Sequence, residues 1–113
     1  MDCLFCRIIA GEIPSNKVYE DDECYAFYDI APQARVHVVL VPKKHITALS
    51  EANEEDQALL GHLLLAANKI AAATGIAQSG YRVITNIGAD ACQSVKHLHL
   101  HVIGGEQLAD KMA

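Results

Sequence analysis

A chain of 113 residues with 51% hydrophobic side chains carries enough apolar material for one packed domain that buries roughly two-thirds of its unfolded surface. Its net charge of −5 gives no basic footprint for a DNA or RNA backbone, although a small phosphate ligand needs only local donors. The opening MDCLFCRIIAGEIP lacks a basic region followed by an apolar run, and no stretch reaches the roughly 20 apolar residues of a membrane span. The expectation is a cytoplasmic protein that binds neither a membrane nor a nucleic acid polymer.

In chain order, CLFCRIIAG reads as a short helix, stopped by Gly11 and Pro14. KVYEDD and CYAFYDI read as short strands around an acidic turn. RVHVVLVPKKH is a Val-rich strand ended by Pro42. Asn53 is the N-cap of a long helix, with Glu54, Glu55 and Asp56 at the positive end of its dipole. Leu59, Leu60, Leu63, Leu64, Ala67, Ile70 and Ala71 follow helical spacing, and Gly75 closes the helix as a left-handed cap. YRVITNIG is a strand, ADACQSV a loop and HLHLHVIGG the last strand. The last two strands join through a loop of hairpin length, which makes antiparallel pairing the default. The fold class is α+β: a mostly antiparallel sheet of about five strands, one long helix and a short N-terminal helix.

The chemistry concentrates in KHLHLHVIGG. Side chains alternate across a strand, so His97, His99 and His101 share one face and Leu98, Leu100 and Val102 the other. The imidazoles then sit ~6.5 to 7 Å apart at their Cα atoms. A row of this kind can be a solvated polar face, a metal site or a catalytic line. His-x-His is a common zinc spacing, but a catalytic zinc usually needs a supporting carboxylate, and the preceding loop offers only Asp90. Four cysteines stand at 3, 6, 24 and 92, and in a reducing cytosol they are not expected to form disulfides. Cys3 and Cys6 form C-x-x-C, a metal or redox spacing; a redox pair would want a thioredoxin-like βαβ context, which this chain lacks. Cys24 is read as a core residue and His62 as unrelated to the row.

HLHLHVI fits the pattern His-φ-His-φ-His-φ-φ, with φ apolar, and resembles the histidine-triad (HIT) family of nucleotide hydrolases and transferases. DIAPQARVHVVLVPKKHI, GYRVITNIGADACQSV and GEIPSNKVYEDDECYAFYDI resemble its Hint branch in order and spacing, so that the likeness runs from Cys3 to Gly105. It implies a single HIT domain over residues 1–113. It also implies a hydrolase of purine nucleoside phosphoramidates, acting on AMP-amine or GMP-type substrates through a covalent nucleotidyl-histidine. His99 matches the nucleophile, His101 the triad member that donates to phosphate, and His37 the assisting fourth histidine. Imidazole suits the task because its pKa is about 6.5, and covalent catalysis divides one hard displacement into two easier ones. Asn86 and Ser94 match phosphate- and leaving-group-binding positions, with Gln93 beside them in the nucleotide-binding set. Asp29 matches the ribose-binding acid, and Phe5, Ile8, Phe27 and Ile30 the apolar wall around the base.

The likeness to zinc-carrying members of the wider family implies a structural Zn2+ on Cys3, Cys6, His45 and His97, and no organic cofactor. A homodimer is implied as well. Cys92 departs from the Gly often found in the phosphate loop, and the tail EQLADKMA lacks an aromatic anchor. Two other functions stay open. One is dinucleoside polyphosphate hydrolysis, against which His101 argues because that branch usually has Gln there. The other is a non-catalytic nucleotide- or protein-binding module.

Overall fold

The computed structural model describes residues 3–112. Strands β1 (Lys17–Glu20), β2 (Cys24–Tyr28), β3 (Val36–Pro42), β4 (Tyr81–Ile84) and β5 (Leu100–Gly104) form one sheet in the order β1-β2-β3-β5-β4. Every neighbouring pair is antiparallel. Helix α1 (Leu4–Ile9) and helix α2 (Gln57–Ala73) complete the α+β fold expected from the sequence.

β2 and β3 are covered on both sides, and for that reason their sequences are apolar at almost every position. Cys24, Ala26, Val38 and Leu40 face α2, where they meet Leu63, Ala66, Ala67, Ile70 and Ala71. The alternate residues Tyr25, Phe27, Val39 and Val41 face α1 and pack against Cys3, Phe5 and Ile8. From β5 and the residue pair before it, Leu98, Leu100 and Val102 join the α2 side, as their alternation with the histidines requires. Leu63 and Ile70 are fully buried, each contributing roughly 1.5–3 kcal/mol by leaving water.

Local chemistry sets the ends of α2. The Asn53 side chain accepts from the Glu55 N–H at 2.9 Å while Asp56 accepts from the Asn53 N–H at 3.1 Å, so the helix opens on a capping box through one 3₁₀ turn, Glu54–Asp56. At the other end Gly75 adopts a φ of 80°. The Ile76 N–H then reaches Ala71 C=O at 3.0 Å and the Gly75 N–H reaches Ala72 C=O at 3.3 Å, the pairing of a Schellman cap. Among the described residues no helix is long and apolar enough to cross a membrane.

Several strands are shorter than their sequences suggest. β1 ends at Glu20, β4 at Ile84, and β5 starts only at Leu100. His97 and His99 therefore precede the last strand rather than lying inside it. Their backbone groups are taken by partners other than a strand ladder. The Thr85 hydroxyl donates to His99 C=O at 2.8 Å, the Leu98 N–H donates to Ile46 C=O at 2.6 Å, and His97 C=O is claimed by a side chain described below.

Candidate active site

The sheet face toward α1 carries the titratable groups. β3 and β5 pair with His37 opposite Ile103 and Val39 opposite His101. His37 and His101 are thus diagonal neighbours on one face, with ring centroids 5.0 Å apart. His99 follows at 5.2 Å from His101.

Hydrogen bonds assign the proton position of each ring. His99 Nδ1 lies 2.7 Å from His97 C=O, an oxygen that can only accept. Nδ1 therefore carries the hydrogen, and Nε2 of neutral His99 presents a lone pair. The Gln33 N–H donates to His37 Nδ1 at 3.0 Å, which leaves the hydrogen of neutral His37 on Nε2. That N–H donates to His101 Nδ1 at 2.8 Å, so His101 carries its own hydrogen on Nε2. Adjacent imidazoles thus present opposite characters, an acceptor at His99 and a donor at His101. Burial first, then the neighbouring imidazoles of His99 and His37, push the His101 pKa down to about 4 against the pull of the Asp29 carboxylate, which keeps the ring neutral at physiological pH.

His99 and His101 lie in a cleft of about 530 Å³. Its lining includes Asp29, Ser94, Phe5, Ile8, Phe27 and Ile30, all expected from the sequence. The Asp29 carboxylate accepts from the Ala31 N–H at 2.8 Å and stands 3.4 Å from His37 Nε2. Phe5 meets His99 edge to face at 5.0 Å and Phe27 at 5.8 Å. Ile30 is fully exposed at the rim, so a ligand covering it would remove an apolar side chain from water.

Asn86 is half-buried outside the cleft lining. Gln93 is buried and is not among the residues that line the cleft. Its Oε1 accepts from the Gly88 N–H at 2.9 Å, and its Nε2 donates to Thr47 C=O at 2.8 Å and Val95 C=O at 3.0 Å. With both amide hydrogens engaged by backbone, this side chain latches the loop after β4 onto Thr47, in the segment that follows β3.

A second cluster adjoins the cleft. Cys3, Cys6, His45 and His97 bring four ligand atoms within 4.8 Å of one another. His97 Nδ1 is 3.3 Å from Cys3 Sγ, 3.6 Å from Cys6 Sγ and 3.1 Å from His45 Nδ1, and His45 Nδ1 is 3.2 Å from Cys6 Sγ. Ligands around a tetrahedral zinc stand about 3.3 to 3.8 Å apart, so these separations suit such an ion. The tautomer suits it too. His97 Nε2 donates to Pro42 C=O at 2.9 Å, which turns the Nδ1 lone pair toward the thiols. Beside His45, the Lys44 ammonium pairs with Asp56 at 2.6 Å. Burial, and then Cys3, push the Cys6 thiol up to about 11, so a cation bound there displaces a proton.

A HIT-domain family model matches residues 10–108. The chain belongs to the HIT family. It is 53% identical over 108 residues to an uncharacterized HIT-like protein of Synechococcus elongatus, covering 96% of this chain and 94% of that one. A HIT family hydrolase from Clostridium thermocellum superposes with a TM-score of 0.96 at 46% identity, over 99% of this chain and 97% of the other. A histidine triad nucleotide-binding protein from Candida albicans gives a TM-score of 0.82 at 31% identity, over 99% and 87%.

In this HIT chain the remaining chemistry lies elsewhere. His62 bridges the turn between β1 and β2 to α2, with Nε2 at 2.7 Å from Asp21 and Nδ1 at 3.2 Å from Glu23. Burial opposes ionisation of Asp21, but the Glu23 N–H and the Tyr19, His62 and Cys24 donors outweigh it and hold the carboxyl well below the usual range. Cys92 is exposed with a φ of 62°. Sequence reasoning missed Ile13, Pro14, Ser15 and Asn16, which line the far end of the cleft; they sit in a loop, where no periodicity marks them. Val39 also lines it, and the alternation from His37 would have placed it on that face.

Proposed function

We propose that this HIT protein hydrolyses purine nucleoside phosphoramidates of the Hint type, with His99 as nucleophile. The observation that carries the reading is the pair of opposed tautomers in one cleft: a lone pair on His99 Nε2 beside an N–H on His101 Nε2. The C. thermocellum neighbour, a hydrolase, and the C. albicans neighbour, a nucleotide-binding protein, support the same class.

In the first step His99 Nε2 attacks the α-phosphorus. The P–Nε2 bond forms as the P–N bond to the amine breaks, and the amine departs with a proton from solvent at the cleft mouth. His101 Nε2–H donates to a non-bridging oxygen, where charge grows in the transition state. His37 keeps that N–H pointed outward by holding the other ring nitrogen. In the second step water adds to phosphorus, the P–Nε2 bond breaks, the water's proton passes to solvent, and the nucleoside monophosphate leaves. Asp29 would accept from the ribose hydroxyls, Ser94 from or to the phosphate, and Phe5, Ile8, Phe27 and Ile30 would cover a purine face.

Cys3, Cys6, His45 and His97 would hold a zinc ion. With four protein ligands the ion would supply a structural cross-link and leave no open position for substrate. A homodimer fits two features: β4 is an edge of the sheet, and Leu64 and Leu65 are 58% and 64% exposed on α2. A cytoplasmic location goes with reduced cysteines.

The test is hydrolysis of an adenosine 5′-phosphoramidate carrying a fluorescent amine, with a dinucleoside polyphosphate as competing substrate. Wild type should release the amine, and His99→Ala should bind AMP yet release none. Equal turnover by the folded variant would refute the assignment. Preference for the polyphosphate would move the chain to the neighbouring branch, and no release by wild type would leave a binding module.

A further inference from the structure

Beyond its aromatic wall the cleft ends on a pair of hydroxyls. Tyr25 and Phe27 in β2 and Asp29 just beyond it stand at alternate positions, so their side chains share the face toward α1. Along that face a phenol, an aromatic ring and a carboxylate follow one another. The rings run in the same order away from the histidines: the Phe5 centroid is 5.0 Å from His99 and 5.8 Å from Phe27, and Phe27 is 6.0 Å from Tyr25. Tyr25 is buried, and its hydroxyl meets the Ser15 hydroxyl at 2.7 Å. Ser15 lines the cleft and Tyr25 does not, so Ser15 is the member of the pair that a ligand can touch.

A phenol is the more acidic of two such hydroxyls and its oxygen the poorer acceptor, so Tyr25 donates and Ser15 Oγ accepts. The Ser15 hydrogen is then left for a ligand. A hydroxyl that accepts one hydrogen bond becomes a stronger donor, and its oxygen a weaker acceptor for a second. The far end of a mostly apolar cleft thus presents one strengthened donor. Asn16, exposed beside it, carries both a donor and an acceptor and can pair with either kind of base edge, so it does not discriminate.

With the phosphorus at His99 and the ribose at Asp29, a purine lying on Phe5 and Phe27 directs its six-membered ring toward Ser15. The hydroxyl then meets the group at position 6 of the purine, where an oxo group accepts and an amino group donates. We propose that the Ser15–Tyr25 pair sets base selectivity, and that the cleft prefers a 6-oxopurine nucleotide over a 6-aminopurine one. The inference rests on the nucleotide reading above and narrows it from purines in general to one kind of purine edge. If the pair only tied residues 13–16 to the sheet, its loss would weaken every nucleotide alike.

The experiment is calorimetry on the full chain with inosine 5′-monophosphate (IMP), AMP and purine riboside 5′-monophosphate, which carry an oxo group, an amino group and no group at position 6. Wild type should bind IMP about tenfold more tightly than AMP, since one hydrogen bond is gained with the first and two donors face each other with the second. Ser15→Ala removes the donor and should bring the ratio of the two affinities to within about twofold of one. Tyr25→Phe keeps the ring against Phe27 and frees the Ser15 hydroxyl to accept as well as donate, so the ratio should fall about threefold or more. Far-UV circular dichroism checks folding, and Tyr25→Phe carries the test if Ser15→Ala, which orphans the Tyr25 hydroxyl, does not fold.

Equal affinities for IMP and AMP in wild type, a preference for AMP, or a preference for IMP that survives both variants overturns the selectivity and leaves the nucleotide reading standing. Equal losses of IMP and AMP affinity in the variants do the same, because they mark a loop tie. A Ser15-dependent preference shared by AMP and purine riboside 5′-monophosphate places the donor on the adjoining ring nitrogen and overturns the assignment to position 6. No binding of any of the three by folded wild type overturns the proposal together with the nucleotide reading.

Discussion

Replacing His101 by Phe removes the Nε2–H that in the proposed reaction would donate to the phosphoryl oxygens, and keeps a ring of similar size against His99. Losing one preorganised donor to developing charge costs about 10²–10³ in kcat, or roughly 2.7–4 kcal/mol. The same change orphans the buried His37 Nε2–H, which donates to His101 at 2.8 Å. An unsatisfied buried donor costs about 1–3 kcal/mol. Asp29 stands 3.4 Å away and can take the bond, so the stability loss should fall at the low end. His101→Gln is the control. Its carbonyl can accept from His37 while its amide donates into the cleft, so kcat should recover to within about tenfold of wild type. Single-turnover release of the fluorescent amine reads the chemical step, and urea unfolding reads stability. A His101→Phe enzyme within about threefold of wild type, or a Gln variant as slow as the Phe variant, would refute the donor role.

Acid should destabilise the fold through the same residue. The His101 pKa drops from 6.5 to about 4 on folding, so the unfolded chain holds the extra proton between those values. The stabilisation is complete above pH 6.5 and is lost as pH falls toward 4, amounting to at most about 3 kcal/mol. Urea midpoints from pH 8 to 4 should show this slope in wild type and a flatter one in His101→Gln; parallel slopes would assign it to other groups. Gln93→Ala should cost about 2–4 kcal/mol in urea unfolding, because it leaves a backbone N–H and two carbonyls without their partners. Its AMP affinity should fall only as far as the loop after β4 loosens, and a loss of affinity with unchanged stability would return Gln93 to the ligand.

The parts of this molecule that rest on periodicity were readable in advance. Alternation in CYAFY and VHVVLV places two apolar faces on the sheet, and both are buried. The Asn53 cap and the Gly75 stop emerge where the local chemistry puts them, because capping depends on a few adjacent residues. What could not be read was decided by partners distant in sequence. Gln93 looks like a ligand-binding amide until Gly88, Thr47 and Val95 are found around it. The long strand expected over His97–Gly105 loses its first three residues because Thr85, Ile46 and the His99 ring itself claim the backbone groups a neighbour strand would use.

That early stop of β5 is what allows the three histidines to differ. In a regular strand the His97 carbonyl would face along the sheet toward a paired strand, and His99 could not bond it. Released from pairing, the carbonyl accepts from His99 Nδ1 and turns Nε2 into the acceptor of the cleft. His101 lies inside the strand, where β3 brings His37 alongside and fixes the opposite proton position. His97 is buried, and its Nε2 is fixed by Pro42 C=O. Spacing alone provides three equivalent imidazoles. The boundary between loop and strand, falling between His99 and His101, assigns them one lone pair facing the cysteines, one lone pair facing the cleft and one N–H donor.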